Sequence, residues 1–181
     1  MTCGDDAIEF ANEPNRDASG ASAWKILIAD DDKAVHAVVR LALANLTVAG
    51  RPMQFRDAYH GEQACRVLSG DADIALVLMD LAMEGERSGL EAARVIREAM
   101  GNRRVRIVLC TGEIEPALRA GTMAQLDLND CWQKTELTAH NLAAIVQAAI
   151  KTYGARPESN RSARRYVTGT FQRVPTAACG G

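Results

Sequence analysis

The chain has 181 residues, 48% of them hydrophobic and 24% charged, with a net charge of −2, which suits one globular domain with tails. That charge balance gives no argument for nucleic acid or an anionic membrane as a partner, and no apolar stretch approaches the ~20 residues needed to span a bilayer. The five cysteines, Cys3, Cys65, Cys110, Cys131 and Cys179, form no C-x-x-C pair, and the acidic N-terminus (Asp5, Asp6, Glu9, Glu13) lacks the basic start and apolar core of a secretion signal, so a reducing cytoplasm is the expected location.

In chain order, residues 1–23 are polar and show no clear periodicity, which predicts a mostly disordered acidic leader. A folded domain is expected over 24–153. Strand one is predicted at 26–29, ending in Asp30, Asp31 and Asp32. Helix one follows over 33–46, capped by Asp32, with Val35, Val38, Val39, Ala42 and Leu46 on one face. Strand two is expected at 53–56, helix two at 61–68 and strand three at 74–79, the last ending in Asp80. Helix three should cover 89–100, with Leu90, Ala93, Ile96 and Arg97 in an amphipathic pattern and Gly101 as its stop. Strand four, at 106–110, ends in Thr111. Helix four is placed at 116–124, with Pro116 in its first turn, a weak strand five at 130–133, and helix five at 139–152 with Leu142, Ile145, Val146 and Ala149 inward. From Gly154 the chain carries five arginines (Arg156, Arg161, Arg164, Arg165, Arg173) against the single acid Glu158, the composition of a flexible basic tail or truncated linker over 154–181.

The middle strands are continuous apolar runs, as expected when helices cover both faces of a parallel sheet. The pattern predicts an α/β fold: one doubly wound five-stranded parallel sheet flanked by five helices, with ligands gathering at the carboxyl ends of the strands near the topological switch point. No G-x-G-x-x-G, phosphate-loop or H-E-x-x-H motif occurs, and His36, His60 and His140 lack ligand spacing. What does stand at strand ends is Asp30, Asp31 and Asp32, then Asp80, then Thr111, then Lys134. Each alone is an ordinary cap, loop or surface residue. Together they bring carboxylates, a hydroxyl and an ammonium toward one crevice. Like charges held side by side cost stability unless they bind a cation, share a proton or do chemistry. Carboxylate and carbonyl oxygens suit Mg²⁺, an aspartate can attack phosphorus, and a lysine with a metal neutralises phosphoryl oxygens.

Five stretches then resemble the receiver domains of two-component response regulators, a CheY-like, flavodoxin-like family: Ile26-Leu27-Ile28-Ala29-Asp30-Asp31-Asp32, Val77-Leu78-Met79-Asp80-Leu81-Ala82-Met83, Gly89-Leu90-Glu91, Ile107-Val108-Leu109-Cys110-Thr111-Gly112, and Lys134. The resemblance implies that Asp80 is the phospho-acceptor, that Asp31 binds Mg²⁺ directly and Asp30 mainly through water, and that the Ala82 carbonyl and Asp80 complete the metal set. It further implies that Thr111 is the switch hydroxyl and Lys134 the phosphate-pairing lysine. The donor it implies is a histidine kinase or histidine phosphotransfer protein, and the target a downstream output protein or domain. A homodimer through helix four, strand five and helix five is also implied, as is the absence of any catalysis beyond self-phosphorylation and dephosphorylation. The neighbourhood 129–139 resembles a receiver subgroup found beside varied output domains, cyclic-dinucleotide phosphodiesterase modules among them. Two departures stand out: Thr135 follows Lys134 where proline is usual, and Cys131 stands where the switch aromatic belongs, with Trp132 one place later. These motivate the alternative of a non-switching interaction scaffold. A Mg²⁺-dependent aspartyl-phosphate phosphohydrolase would want a second acid two residues after the nucleophile, where this chain has Ala82.

Overall fold

A computed structural model describes residues 22–83, 88–112, 123–136 and 138–155. The expected leader up to residue 21, the tail from residue 156 and residues 116–122 of expected helix four lie outside the described residues; residues 123–125 are helical. The strands are β1 (Trp24–Ala29), β2 (Met53–Ala58), β3 (Ile74–Asp80), β4 (Arg106–Thr111) and β5 (Asp130–Gln133). The longer described helices are α1 (Lys33–Leu43), α2 (Gly61–Gly70), α3 (Ser88–Arg94) and α4 (Ala139–Ala155), the last being the helix five expected above. All strand pairs are parallel, in the order β2-β1-β3-β4-β5. Chain order reverses direction between β1 and β3, so the switch point lies between Ala29 and Met79, which are register partners.

Side-chain alternation splits the core into two layers. Leu27, Ala29, Val77, Met79, Ile107, Leu109 and Cys131 join the cluster under α2 and α3. Ile26, Ile28, Leu76, Leu78, Val108 and Cys110 join the cluster under α1 and α4, which Trp132 also packs against. Aliphatic packing on both faces is what the continuous apolar runs of β3 and β4 require.

Several boundaries differ from expectation for physical reasons. Helix α1 ends at Leu43, and the chain then reverses at Ala49 and Gly50, both at positive φ (52° and 72°), which pairs Val48 with Arg51. Val38, assigned above to the inward face of that helix, is 60% exposed; His36, Val39 and Leu43 are the buried residues. Val38 sits about 100° around the helix from Val39. Asp32 does cap α1, its side chain accepting from the Ala34 amide. Helix α3 continues through a π turn, Val95–Ala99, before Gly101 turns the chain at φ 62°. Helix α4 runs to Ala155, so Gly154 and Ala155 belong to it rather than to the tail, and Leu142, Ile145, Val146 and Ala149 are buried as expected. Among the described residues no helix is long and apolar enough to cross a membrane.

Candidate acidic site at the sheet edge

Four of the five strands, β1, β3, β4 and β5, bring a terminus with a candidate residue to the same edge. Asp30 and Asp31 follow the last residue of β1, Asp80 is the last residue of β3, Thr111 the last of β4, and Lys134 opens the short 3₁₀ turn after β5. Asp30, Asp80 and Thr111 are buried, whereas Asp31 is exposed. One carboxylate oxygen from each of Asp30, Asp31 and Asp80 lies within 4.8 Å of the others. An all-oxygen donor set at that spacing, with one member open to solvent, fits a hard divalent cation that keeps waters, such as Mg²⁺.

The Lys134 ammonium bridges the two buried acids, 2.8 Å from Asp30 Oδ2 and 2.9 Å from Asp80 Oδ2. Burial works against its charged form, but hydrogen bonds to Asp30 and Asp80 and attraction from both outweigh it and hold its pKa above the usual 10.5. The same field acts on Cys110, on the side of β4 facing α1 and α4. Burial, then the charges of Asp80 and Asp30, push its thiol up to about 12, so it stays protonated and serves as core filler.

Three hydrogen bonds hold the described residues that flank Asp80 and precede α3. The Leu81 amide donates to the Cys110 carbonyl at 2.9 Å, the Gly89 amide to the Leu81 carbonyl at 3.0 Å, and the Met83 amide to Ser88 Oγ at 3.1 Å. Ala82, expected to supply a carbonyl ligand, is exposed and turns its amide toward Asp80 Oδ1 at 3.4 Å. Thr111 pairs in register with Gln133 of β5 and so faces the same edge as Lys134.

Two groups that sequence reasoning missed lie beneath the acids. His36 is buried, with Nε2 2.9 Å from the Asp30 carbonyl oxygen and Nδ1 2.6 Å from Asp57 Oδ1. Asp57, near the end of β2, also accepts from the Arg40 guanidinium. The available signal was helix phase: once Val39 and Leu43 are taken as inward, position 36 falls on the same buried stripe. The two residues near the switch position also separate cleanly. Cys131 is buried on the α2/α3 side and Trp132 packs on the opposite face of the sheet, so Trp132 does not stand in for an aromatic at 131.

Comparison with known proteins gives the family and the fold. The model of the response regulator receiver domain family matches residues 26–147, inside the expected domain 24–153. A 3'3'-cGAMP-specific phosphodiesterase 2 of Vibrio cholerae is 36% identical over 130 residues, covering 72% of this chain and 25% of that protein; the chain thus spans about a quarter of that relative's length. The N-terminal domain of a response regulator/sensory box/GGDEF three-domain protein from Carboxydothermus hydrogenoformans superposes with a TM-score of 0.59 at 25% identity, covering 72% of this chain and 97% of that one. A CheY-like receiver domain protein from Methanospirillum hungatei shares the fold, with a TM-score of 0.59 at 22% identity over 73% of this chain and 98% of that one.

Proposed function

The chain belongs to the response regulator receiver domain family, and from that premise we propose that it is a phosphorylation-dependent switch with Asp80 as the phospho-acceptor. The observation that carries the reading is the Lys134 ammonium held between Asp30 and Asp80, beside a third carboxylate at ion-binding distance. Asp30, Asp31, Asp80 and the Ala82 carbonyl are the groups that would hold Mg²⁺. Bound there, the ion would offset the charge of the phosphoryl oxygens. Asp80 attacks the phosphorus of a phosphohistidine on a histidine kinase or phosphotransfer protein. The P–N bond breaks as the Asp80 O–P bond forms, and the electron pair returns to the donor imidazole. Lys134 exchanges its Asp80 contact for the transferred phosphoryl oxygens, and the Thr111 hydroxyl hydrogen-bonds them. Contacts available only to the phosphorylated form bias a two-state equilibrium that an output protein or domain reads.

On this reading the chain turns over no substrate beyond its own phosphorylation and dephosphorylation. Its setting is the cytoplasm, with Cys65, Cys110 and Cys131 as buried free thiols. The likeness to part of a phosphodiesterase supports an output that lies outside the domain, and a second copy meeting the β5–α4 face is a further partner. Intact mass after incubation with acetyl phosphate and Mg²⁺ tests the proposal. Wild type should gain one phosphoryl group and Asp80→Asn none. No adduct on wild type from acetyl phosphate or a phosphohistidine donor would leave the non-switching scaffold in its place.

A further inference from the structure

Building on the reading of Asp30, Asp31 and Asp80 as a Mg²⁺ site, we infer that His36 is a positioning residue for it: the buried imidazole holds the Asp30 backbone and ties it to β2 through Asp57. A backbone carbonyl only accepts, so His36 Nε2 carries hydrogen and donates to the Asp30 oxygen at 2.9 Å. The ring's orientation is fixed on its other sides. Nδ1 meets Asp57 Oδ1 at 2.6 Å, the ring stacks on Tyr59 with centroids 4.7 Å apart and planes at 27°, and Arg40 holds the second oxygen of Asp57.

Asp30 is thereby gripped at every polar atom. Its amide donates to the Ala58 carbonyl at 3.0 Å, its carbonyl accepts from His36, Oδ1 accepts from the Asp32 amide at 3.0 Å, and Oδ2 meets Lys134 at 2.8 Å. Ladder pairing of β1 with β2 ends at Ala29; the Asp30 amide still bonds Ala58 of β2, and the His36 bond fixes the Asp30 carbonyl. The need for such a bond is electrostatic. Three carboxylates within 4.8 Å repel one another, and a ligand set holds that arrangement only when its own backbone is braced. A helix evolved for packing alone would place an aliphatic residue at 36, among Val39 and Leu43. A histidine there, aimed at the backbone of one acid and held by another, is the arrangement by which outer groups orient ligands.

Calorimetric titration of the full chain with MgCl₂ tests this, with melting temperature measured separately in metal-free buffer. His36→Phe keeps an aromatic ring against Tyr59 and loses both hydrogen bonds; its Mg²⁺ Kd should rise about tenfold. His36→Gln, which retains an N–H donor, should recover most of that loss. Leu43→Val, a core truncation on the same helix away from the acids, should lower the melting temperature and leave the Kd within about twofold of wild type. Should the Phe variant fail to fold, Asp57→Asn carries the same test, with an expected rise of about threefold. A His36→Phe or Asp57→Asn protein with wild-type Kd overturns the assignment while the Mg²⁺ site stands. An equal loss in Leu43→Val overturns it too, by showing that affinity follows stability alone. A wild type that takes up no Mg²⁺ overturns the metal reading itself and this inference with it.

Discussion

Lys134 is the counter-ion on which the metal-free site depends. Replacing it by Met would leave Asp30 and Asp80, both buried, facing each other and Asp31 without a cation. Removing one partner of a buried ion pair costs more than the pair contributes; because the Lys134 side chain is 29% exposed, we expect a loss of roughly 1–3 kcal/mol. Mg²⁺ should restore much of it in Lys134→Met, a sign opposite to simple core damage, and urea midpoints with and without MgCl₂ measure this. The pH dependence has a definite sign. The folded pKa of Lys134 is raised, so its contribution is complete below the usual 10.5 and is lost as pH rises through the folded value above that. The difference between wild type and Lys134→Met should therefore stay flat up to about that pH and shrink beyond it. A second residue acts by having no side chain. A Cβ on Gly89 would stand 1.8 Å from the Asp80 carbonyl oxygen and 2.9 Å from its carbon. Gly89→Ala should cost roughly 3 kcal/mol, by urea denaturation, and slow phosphoryl uptake, because the backbone it would displace is that of Asp80. The acids were legible in sequence because each ends an apolar run or follows one, whereas Lys134 follows the short strand DCWQ and was picked out by its place in the set and the family resemblance. His36 and Asp57 were not: helix phase marks position 36 as buried but not what it meets, an aspartate in an edge strand carries no local mark, and only the fold brings both under Asp30.

At the scale of elements, periodicity located every described strand and the helices α1 to α4, since continuous apolar runs and an inward stripe are direct consequences of burial. It erred where tertiary structure overrode the local pattern. Val38 was counted inward because valine is apolar, yet the helix phase is set by Val39 and Leu43. Helix α1 stops at Leu43, and the turn that follows has only a weak signal, Ala49-Gly50. The π turn at the end of α3 has no sequence mark at all, but its consequence is specific. It accompanies a buried Arg97, which donates to the carbonyls of Leu126 (3.1 Å), Asn102 (2.6 Å) and Asp127 (3.1 Å). Arg97 thus ties α3 to the turn that leads into β5, where Asp127 sits at φ 47°. Arg97→Met keeps the stem and removes the planar fork; it should cost roughly 3 kcal/mol and raise amide exchange at 126–133 more than elsewhere. Arg97→Lys should recover little, because a point charge cannot serve three carbonyls in the fork's geometry. Uniform loss of protection across the sheet would show that Arg97 is ordinary core packing.

Across the whole molecule, the acids crowd one end of the sheet and a stack of rings and guanidinium groups closes the other. Arg51 lies over the Trp24 ring at 3.7 Å, Trp24 meets Tyr153 edge-on at 6.2 Å, and Arg104 lies over Tyr153 at 4.4 Å. The Trp24 indole also donates to the Val48 carbonyl at 2.8 Å. This stack joins the start of β1 to the last turn of α4. It stands six residues along β1 from Asp30, about 20 Å at the strand rise. The two ends therefore have separate tasks: one gathers the carboxylates of the proposed ion and phosphoryl site, the other holds α4 against the sheet. Energies at sites this far apart, with no shared partner, add rather than couple. Trp24→Ala should cost roughly 2–3 kcal/mol through lost ring packing and the lost indole hydrogen bond, although the Val48 carbonyl keeps the Arg51 amide at 3.1 Å. Its Mg²⁺ Kd and its yield of Asp80 phosphorylation should stay within about twofold of wild type at a temperature where it remains folded. If instead Mg²⁺ binding weakens in step with the loss of the stack, the sheet transmits strain from one end to the other. The closing stack would then be part of the path by which phosphorylation reaches α4.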